Sequence, residues 1–242
     1  MKVFWRKAYW GIVYFCQLVF KNDPVSGQKI SRRPTRCFGR RGGAWRLPVE
    51  NLKSEMKVIS AGVGEDTSFE EKLMSTLNVE IYALDPTPRA IVHAGRVEKK
   101  FRGFHFLALG LWEEDGDQQF HAPRKPHHVS HSIVALQGEA PVFSAPCVCW
   151  KSLLARLGWT QVDLLKMDIE GAEYRVLENI ISSDNHPRIL SLEFDETHSP
   201  QNSLWRERLR KSVSKLTDAG YVLTAVLPKG NYTFEKISGA GD

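Results

Sequence analysis

The stretch that decides the fold is LLKMDIEGAEYRVLE, residues 164–178. It begins as an apolar run interrupted by one lysine, reaches two carboxylates, and turns at a glycine into a segment with helical spacing of apolar residues. This order is typical of a buried strand followed by an amphipathic helix. In open α/β sheets, ligands bind beyond the carboxyl ends of the parallel strands. Asp168 and Glu170 stand at such an end, so the stretch predicts a functional site there.

An earlier stretch, VISAGVGED over residues 58–66, has the same strand-to-turn pattern, and the acid of IYALDP, Asp85, follows 23 residues after Gly62. Gly62 and Gly64 allow a ligand to approach the backbone closely, and an acid after the second strand is typical of a ribose contact. The loop is not G-x-G-x-x-G, and its acids, which include Asp66, would repel a pyrophosphate. They suit a ligand with a cationic amine, such as the methionine part of S-adenosylmethionine.

The rest of the chain alternates between strand and helix patterns. Predicted strands are Met56–Ala61, Val79–Leu84, Phe104–Leu111, Val162–Ile169, Ile189–Phe194, Tyr221–Leu227 and Asn231–Ile237. Predicted helices are Ser68–Leu77, Pro88–Val97, Ala172–Ile181, Trp205–Ala219 and one that contains Leu153–Leu157 and ends near Gly158. Residues 112–145 carry only weak strand signals. Alternation predicts an α/β fold with a mostly parallel sheet flanked by helices, and the short turn between the last two strands makes them an antiparallel hairpin. This is the Rossmann-like layout of class I methyltransferases.

The basic residues are concentrated at the start of the chain. Residues 1–57 carry 13 Lys/Arg and 3 Asp/Glu, although the whole chain of 242 residues has a net charge of only +5. We therefore predict a leader over residues 1–39 and one domain over residues 40–242, long enough to bury a sizeable core. A basic leader is suited to anionic lipid, nucleic acid or an acidic partner.

The leader contains an apolar run, Ala8–Phe20, that is too short for a membrane span of about 20 residues. It also lacks a small-residue cleavage site of the signal-peptide kind. We interpret it as a membrane-surface or docking helix and expect a cytoplasmic protein with peripheral membrane contact through residues 1–21. Residues 21–48 are polar and rich in Gly and Pro, which predicts a linker or lid in which Trp45 covers a ligand or docks the segment on the core.

Lys166, Asp168 and Glu170 are spaced by two, so one strand would point all three to the same side. A buried lysine and a carboxylate are expected to pair, because an isolated buried charge is costly. Asp168 is a candidate for contact with the methionine moiety or for positioning an acceptor hydroxyl. Glu170 is either part of this catalytic group or a cap for the helix that follows.

The histidines of APRKPHHVSHSI, His127, His128 and His131, lie in a loop that we expect to line the cofactor or acceptor. His131 is a candidate general base because its ordinary pKa lies near neutrality, and Ser132 is a candidate cofactor contact. No Cys or Asp nearby completes a zinc set, and the C-x-C of Cys147 and Cys149 has no second Cys pair, so we predict no metal. A second candidate acid–base cluster ends the fifth predicted strand: Glu193, Asp195 and His198.

Several blocks, taken in order, resemble the FkbM-type S-adenosylmethionine-dependent methyltransferases: GAWRLP, ISAGVGEDTSFE, IYALDPTPR, FRGFHFLALGLWEEDG, APRKPHHVSHSI and VDLLKMDIEGAEYRVLE. They extend from about residue 40 to 237, and the LLKMDIEGAE block is the most specific. The resemblance implies a Rossmann-like fold, S-adenosylmethionine as the donor and O-methylation of a sugar or polyketide hydroxyl. It implies that Gly62, Gly64 and Asp66 belong to the donor loop, that Asp85 contacts the ribose, and that Asp168 lies near the reacting end.

Other classes explain the sequence less well. A haloacid-dehalogenase-type phosphatase needs a second Asp where this chain has Glu170, and a nicotinamide oxidoreductase is disfavoured by the acidic loop after Gly64. RNA methylation is disfavoured because residues 58–242 carry 20 Lys/Arg and 25 Asp/Glu. We therefore expect a small-molecule or glycan acceptor and no nucleic acid. The remaining alternative is a catalytically silent methyltransferase-like interaction protein that uses its basic leader.

Overall fold

The structure is a computed structural model that describes residues 25, 30–31, 33–40, 43–122, 131–134, 141–227 and 230–237. The predicted apolar helix Ala8–Phe20 and the two histidines His127 and His128 lie outside these ranges. Across the described part of the chain, no helix is both long enough and apolar enough to cross a membrane.

The described residues form twelve strands and five helices. The strands are β1 (Thr35–Phe38), β2 (Trp45–Pro48), β3 (Lys57–Ala61), β4 (Glu80–Leu84), β5 (Phe104–Leu107), β6 (Gly110–Leu111), β7 (Gly116–His121), β8 (Pro141–Val148), β9 (Leu164–Met167), β10 (Ile189–Glu193), β11 (Tyr221–Leu227) and β12 (Asn231–Lys236). The helices are α1 (Ser68–Leu77), α2 (Pro88–Lys100), α3 (Trp150–Leu157), α4 (Glu173–Ile181) and α5 (Trp205–Asp218). Two short 3₁₀ turns, Val49–Asn51 and Asp195–Thr197, follow β2 and β10.

A seven-stranded sheet in the order β5-β4-β3-β9-β10-β12-β11 forms the centre of the molecule. The five strands from β5 to β10 are parallel, and β12 is antiparallel to both β10 and β11. This confirms the predicted Rossmann-like α/β fold with a C-terminal antiparallel hairpin. The chain runs outward in opposite directions from β3 and β9, so the carboxyl ends of these two strands form the switch point at which such sheets bind ligands.

Apolar side chains cover both faces of the central strands. On β3, Val58 and Ile59 belong to different core clusters, and so do Leu164 and Leu165 on β9. Successive strand residues point to opposite faces, so each strand is buried on two sides, as parallel sheets require. This double burial explains why both strands have nearly continuous apolar sequences.

The prediction of one strand over Phe104–Leu111 was wrong. The strand of the main sheet ends at Leu107, and Gly110–Leu111 pairs with β8 in a separate three-stranded sheet in the order β6-β8-β7. A side chain at Gly110 would lie 2.5 Å from the Sγ of Cys147, so the two chains pass very close to each other. Residues 112–145 gave weak signals because most residues of β7 and β8 are half-buried or exposed and the two strands lack strict apolar alternation.

The predicted linker or lid over residues 21–48 contains the antiparallel hairpin of β1 and β2. Its inward side chains Phe38, Trp45 and Leu47 are buried, and β2 packs on the C-terminal strands. The basic and polar residues of this segment hide the alternation because they occupy its outward positions. The domain boundary that we expected between residues 39 and 40 falls at the turn of this hairpin.

Candidate active site

A cavity of about 410 Å³ opens at the carboxyl ends of β3, β4 and β9, which is within the size range of small-molecule sites. Eight predicted site residues are among the described residues that line it: Gly62, Gly64, Asp66, Asp85, His131, Lys166, Asp168 and Glu170. Ser132 and the second candidate cluster of Glu193, Asp195 and His198 do not line it. The β1–β2 hairpin adds Gly43 and Trp45 to the wall, and the small sheet adds Leu111 and Phe120. The two peripheral sheets therefore close a site that the central sheet only begins.

The glycine loop after β3 runs directly against the end of β9. Gly62 has a positive φ of 77°, and a side chain there would overlap the carbonyl oxygen of Asp168. Its amide donates to the carbonyl of Leu84 at 2.8 Å. Only glycine fits this position without strain, because it tolerates the positive φ and has no Cβ that would collide with the carbonyl of Asp168. The loop thus leaves its backbone bare towards the cavity.

Asp85 holds this loop in place. Its Oδ2 accepts a hydrogen bond from the amide of Gly64 at 2.9 Å, and its Oδ1 accepts from the amide and hydroxyl of Thr87 at 2.9 and 2.6 Å. A carboxylate offers about four acceptor positions, so about one remains for a ligand. The ribose contact stays a prediction, and the structure adds a loop-ordering role that sequence reasoning missed. In the same loop, Asp66 accepts from the amide of Ser68 at 3.0 Å and helps to begin α1.

Lys166 is buried at the centre of the site. Its ammonium group donates to the carbonyl of Gly62, lies 3.8 Å from Oδ2 of Asp168, and stands 5.6 Å from the ring centroid of Trp45. The predicted pairing of a buried lysine with Asp168 is therefore present. This single cation ties the glycine loop, the end of β9 and the N-terminal hairpin together.

Glu70 is a site residue that sequence reasoning missed. It lies in the first turn of α1, is fully buried and lines the cavity, and its Oε1 accepts from the hydroxyl of Ser60 at 2.6 Å. Burial raises its pKa, and the positive charge of Lys166 opposes that shift. A glutamate in a first helical turn usually faces solvent and favours the helix dipole, so local sequence carried no signal of its burial.

The expectation that Lys166, Asp168 and Glu170 share one strand face was wrong for Glu170. The strand β9 ends at Met167, and Glu170 lies in a turn with a positive φ of 58°. A left-handed conformation costs a residue other than glycine about 1–3 kcal/mol and clusters at functional sites. The turn is held by Glu173, whose Oε1 accepts from the amides of Ile169 and Gly171 at 3.0 and 3.2 Å.

Ser132, a candidate cofactor contact, has a different set of partners. It is buried, its hydroxyl donates to the carbonyl of Glu170, and it accepts from the amide of Val134 at 3.0 Å. It is not among the described residues that line the cavity. Ser132 therefore supports the turn that carries Glu170. His131 does line the cavity, with its ring packed edge-on to Phe143 at 5.3 Å.

Three carboxylates meet at the ends of β9 and β10. Asp168, Glu170 and Asp195 each place an oxygen within 4.8 Å of the other two. Asp195 comes from the 3₁₀ turn after β10, so the structure joins one member of the second predicted cluster to the first. In the other two members of that cluster, the Nε2 of His198 lies 3.5 Å from the Oε1 of Glu193.

Desolvation and mutual repulsion govern the acidity of this group. Desolvation raises the pKa of Asp168, Lys166 opposes that shift, and neighbouring carboxylates including Glu170 strengthen it. The pKa of Asp195 is likewise raised by burial and then by its acidic neighbours. Burial raises the pKa of Glu173 to about 7 despite the hydrogen bonds that it accepts. The site therefore brings several carboxylates together where water solvates their negative charge poorly.

We expect Lys166→Met to lower the free energy of unfolding by about 3 kcal/mol, near the lower end for breaking a buried pair because Asp168 keeps some solvent contact. The variant leaves Asp168 and Glu70 without their common cation. Urea unfolding followed by tryptophan fluorescence measures the change. Lys151→Met, at an exposed position of α3, is the matched control. A loss below about 1 kcal/mol would contradict a structural role for the ammonium group.

Comparison with known sequences places the chain in a family. The profile described as Methyltransferase FkbM domain matches residues 35–223, from the first strand of the hairpin to β11. A human protein described as probable methyltransferase-like protein 24 is 26% identical over 141 residues, which are 58% of this chain and 32% of that protein. The matched stretch thus spans about a third of the curated relative.

Solved structures with similar folds include a fibrillarin from Aeropyrum pernix in complex with S-adenosyl-L-methionine, with a TM-score of 0.45, 12% identity and coverage of 89% of this chain and 86% of that one. An rRNA methylase from Streptococcus thermophilus has a TM-score of 0.45 and 10% identity, covering 78% and 91% of the two chains. Both scores are low, so the fold assignment rests on the strand order described above.

The cavity fits a nucleoside-containing donor. It has a bare glycine backbone at the switch point, an acid after β4 with acceptor capacity to spare, and acidic side chains beside the loop. Gly62, Gly64, Asp66 and Asp85 are the residues that would hold such a donor. Together with the match over most of its length, these features establish that the chain belongs to the FkbM methyltransferase family, with S-adenosylmethionine as its cofactor.

Proposed function

We propose that this chain transfers the methyl group of S-adenosylmethionine to a hydroxyl oxygen of a small-molecule or glycan acceptor. The observation that carries the proposal is the layout of the cavity, in which the glycine loop and Asp85 line one part and Asp168 and Glu170 line another. A donor held by the loop would thus share one enclosed space with carboxylates that are able to receive a proton.

The reaction needs alignment and removal of one proton. The bound donor supplies a methyl group on a positively charged sulfur. Transfer forms a carbon–oxygen bond and breaks the carbon–sulfur bond, whose electron pair stays on sulfur, while the acceptor hydroxyl loses its proton. Asp168 lines the cavity and keeps 30% of its side chain exposed, so it is placed to orient that hydroxyl and take the proton.

The walls of the cavity support the same reaction. Trp45 and Phe120 are buried and line the space from the two peripheral sheets, where they exclude water from the reacting groups. Lys166 holds the carbonyl of Gly62 and lies beside Asp168, so it couples the donor loop to the acceptor side. His131 on the same wall is the second candidate base.

The proposal is tested by titrating the purified 242-residue chain with S-adenosylmethionine and S-adenosylhomocysteine in a calorimeter, with NAD as the control. Methyl transfer is then followed by mass spectrometry on a panel of sugars, glycans and small hydroxylated compounds, with RNA as a further arm. We expect binding of the first two ligands, none of NAD, and methylation of a hydroxylated compound. Donor binding without turnover on any acceptor would favour the catalytically silent interaction protein, and methylation of RNA alone would overturn the acceptor class.

We expect Asp85→Ala to weaken donor binding about 10-fold, or about 1.4 kcal/mol. The variant removes a predicted ribose contact and also releases the amide of Gly64 from its acceptor. Calorimetric titration with S-adenosylhomocysteine measures the effect, and Asp218→Ala at the exposed end of α5 is the control. Wild-type affinity in Asp85→Ala would remove this residue from the donor site.

A further inference from the structure

We infer that Glu70 receives the α-ammonium group in the methionine part of the donor, and that it thereby selects ligands that carry this amine. Sequence reasoning expected the acids of the glycine loop, which include Asp66, to suit a cationic amine, and it did not consider a residue of α1. The inference rests on the donor-binding half of the proposed function and does not depend on the identity of the acceptor.

Glu70 presents an unsatisfied oxygen to the cavity. The residue is only 1% exposed, and its Oε1 accepts from the hydroxyl of Ser60 at 2.6 Å. Its Oε2 is buried and has no hydrogen-bond partner among the described residues. Buried carboxylate oxygens are almost always paired, because leaving them unsatisfied is costly. Since Glu70 lines the cavity, a hydrogen-bond donor on a bound ligand is able to supply the missing partner.

The other acids of the cavity wall are better provided with partners. Asp66 and Asp85 accept hydrogen bonds from backbone amides, Glu65 forms an ion pair with an arginine, and Asp168 lies 3.8 Å from a lysine ammonium group. Among the described acids that line the cavity, only Glu70 has a buried carboxylate oxygen without a hydrogen-bond partner. This difference singles out Glu70 as the partner of a ligand cation.

The chemistry of the cavity differs on the two sides of Asp85, the predicted ribose contact at the end of β4. On the side of β5, the wall is made by the apolar side chains of Leu109 and Leu111, which suit the base of a nucleoside. On the side of β3 and β9, the wall contains Glu70 and Lys166, which carry opposite charges. A pair of opposite charges suits the amino acid end of the donor, which is a zwitterion.

The cation that the protein itself places near Glu70 is shared. Ser60, which binds Glu70, pairs with Lys166 across β3 and β9, so these side chains lie on one face of the sheet. Lys166 also donates to the carbonyl of Gly62 and lies beside Asp168. Burial raises the pKa of Glu70, and this effect exceeds the lowering by Lys166, by Ser60 and by its own backbone amide. A ligand ammonium group would give Glu70 a cation of its own.

The test is a calorimetric titration of the 242-residue chain and of Glu70→Gln with three ligands. These are S-adenosylhomocysteine, its analogue without the α-amine, and its analogue without the carboxylate. Glutamine keeps the shape of the side chain and an oxygen for the hydroxyl of Ser60, but it has no negative charge. Glu71→Gln is the matched control, because Glu71 lies in the same first turn of α1 and is not among the described residues that line the cavity. Thermal unfolding establishes that each variant is folded.

We expect Glu70→Gln to bind S-adenosylhomocysteine about 30-fold more weakly than the wild type, which is in the range for losing a hydrogen bond to a charged group. Removing the amine from the ligand should weaken its binding to the wild type by about the same factor. The amine-free analogue should then bind the wild type and Glu70→Gln with affinities that agree within about 3-fold, because the two changes remove one interaction. The carboxylate-free analogue should keep the full loss, and Glu71→Gln should bind all three ligands as the wild type does.

A purely structural role for Glu70 predicts an equal loss for all three ligands, and that result would overturn the inference. A wild type that binds S-adenosylhomocysteine and its amine-free analogue equally well would overturn it without any variant. In both cases the donor still binds, so the proposed function would stand. The expected pattern, together with no methylation of any acceptor in the panel, would support the contact and count against the proposed methyl transfer. A wild type that does not bind S-adenosylhomocysteine would overturn both.

Discussion

Gly62→Ala should abolish measurable donor binding, a loss of at least 100-fold, and should also lower the free energy of unfolding by at least about 3 kcal/mol. The added Cβ would occupy the position of the carbonyl oxygen of Asp168. Backbone atoms of two neighbouring strand ends cannot give way as a flexible side chain would, so β3 and β9 must separate at the switch point. The positive φ of 77° at this position adds strain for any residue other than glycine.

Calorimetry with S-adenosylhomocysteine and urea unfolding measure the two effects. Gly95→Ala is the matched control, because Gly95 lies within α2 and an added Cβ there meets nothing within 4 Å. That control should bind the ligand normally and gain about 0.5–1 kcal/mol of stability, since alanine favours a helix interior. Donor affinity within 3-fold of wild type in Gly62→Ala would show that the loop does not need its close approach to β9.

Asp168→Asn should lower turnover about 1,000-fold, the range expected for losing a group that moves a proton in the transition state. The amide has nearly the shape of the carboxylate, but it cannot accept the hydroxyl proton and is a poorer partner for Lys166 at 3.8 Å. We expect the affinity for S-adenosylhomocysteine to change less than 10-fold, because the donor loop and Asp85 remain. If Asp168→Asn loses turnover but still binds S-adenosylhomocysteine, Asp168 takes part in the reaction and does not merely support the structure.

Turnover is measured with the acceptor found in the methylation panel, under saturating donor. Asp218→Asn serves as the control for a charge change far from the cavity, and His131→Asn tests the competing base on the cavity wall. Retention of more than a tenth of wild-type turnover by Asp168→Asn, together with a large loss in His131→Asn, would move the proton-accepting role to His131.

Much of the fold follows from local patterns. The helix Ser68–Leu77 and the strand Tyr221–Leu227 have the bounds that apolar spacing predicts. The doubly buried strands β3 and β9 are readable because burial on both faces demands nearly continuous apolar residues. Gly62, Asp85 and Asp168 were found for a related reason: strand ends next to glycine or acid are local features, and parallel strands bring their carboxyl ends to one edge.

Hydrophobic patterns failed to reveal the strands in segments that are only partly buried. The hairpin of β1 and β2 hides its inward Trp45 among outward basic residues. The sequence of β8 shows little apolar alternation, and only three of its eight residues are buried. Neither segment could be identified by hydrophobic periodicity alone. The hairpin supplies a wall of the cavity that the central sheet lacks, and β8 pairs with β6 and β7, which supply another.

The sequence by itself determined the strand–helix order of the central sheet and the position of the glycine loop, and it predicted a donor site there, because each depends on residues close together in the chain. Tertiary structure alone decided which acids meet. Asp195 reaches Asp168 only because β10 lies beside β9, and Glu170 turns towards them only because its backbone leaves the strand in a left-handed turn. Burial of Glu70 and the shared use of Lys166 by the loop and Asp168 arise in the same way. Contacts between residues far apart in sequence depend on how elements pack, and local patterns carry no record of that packing.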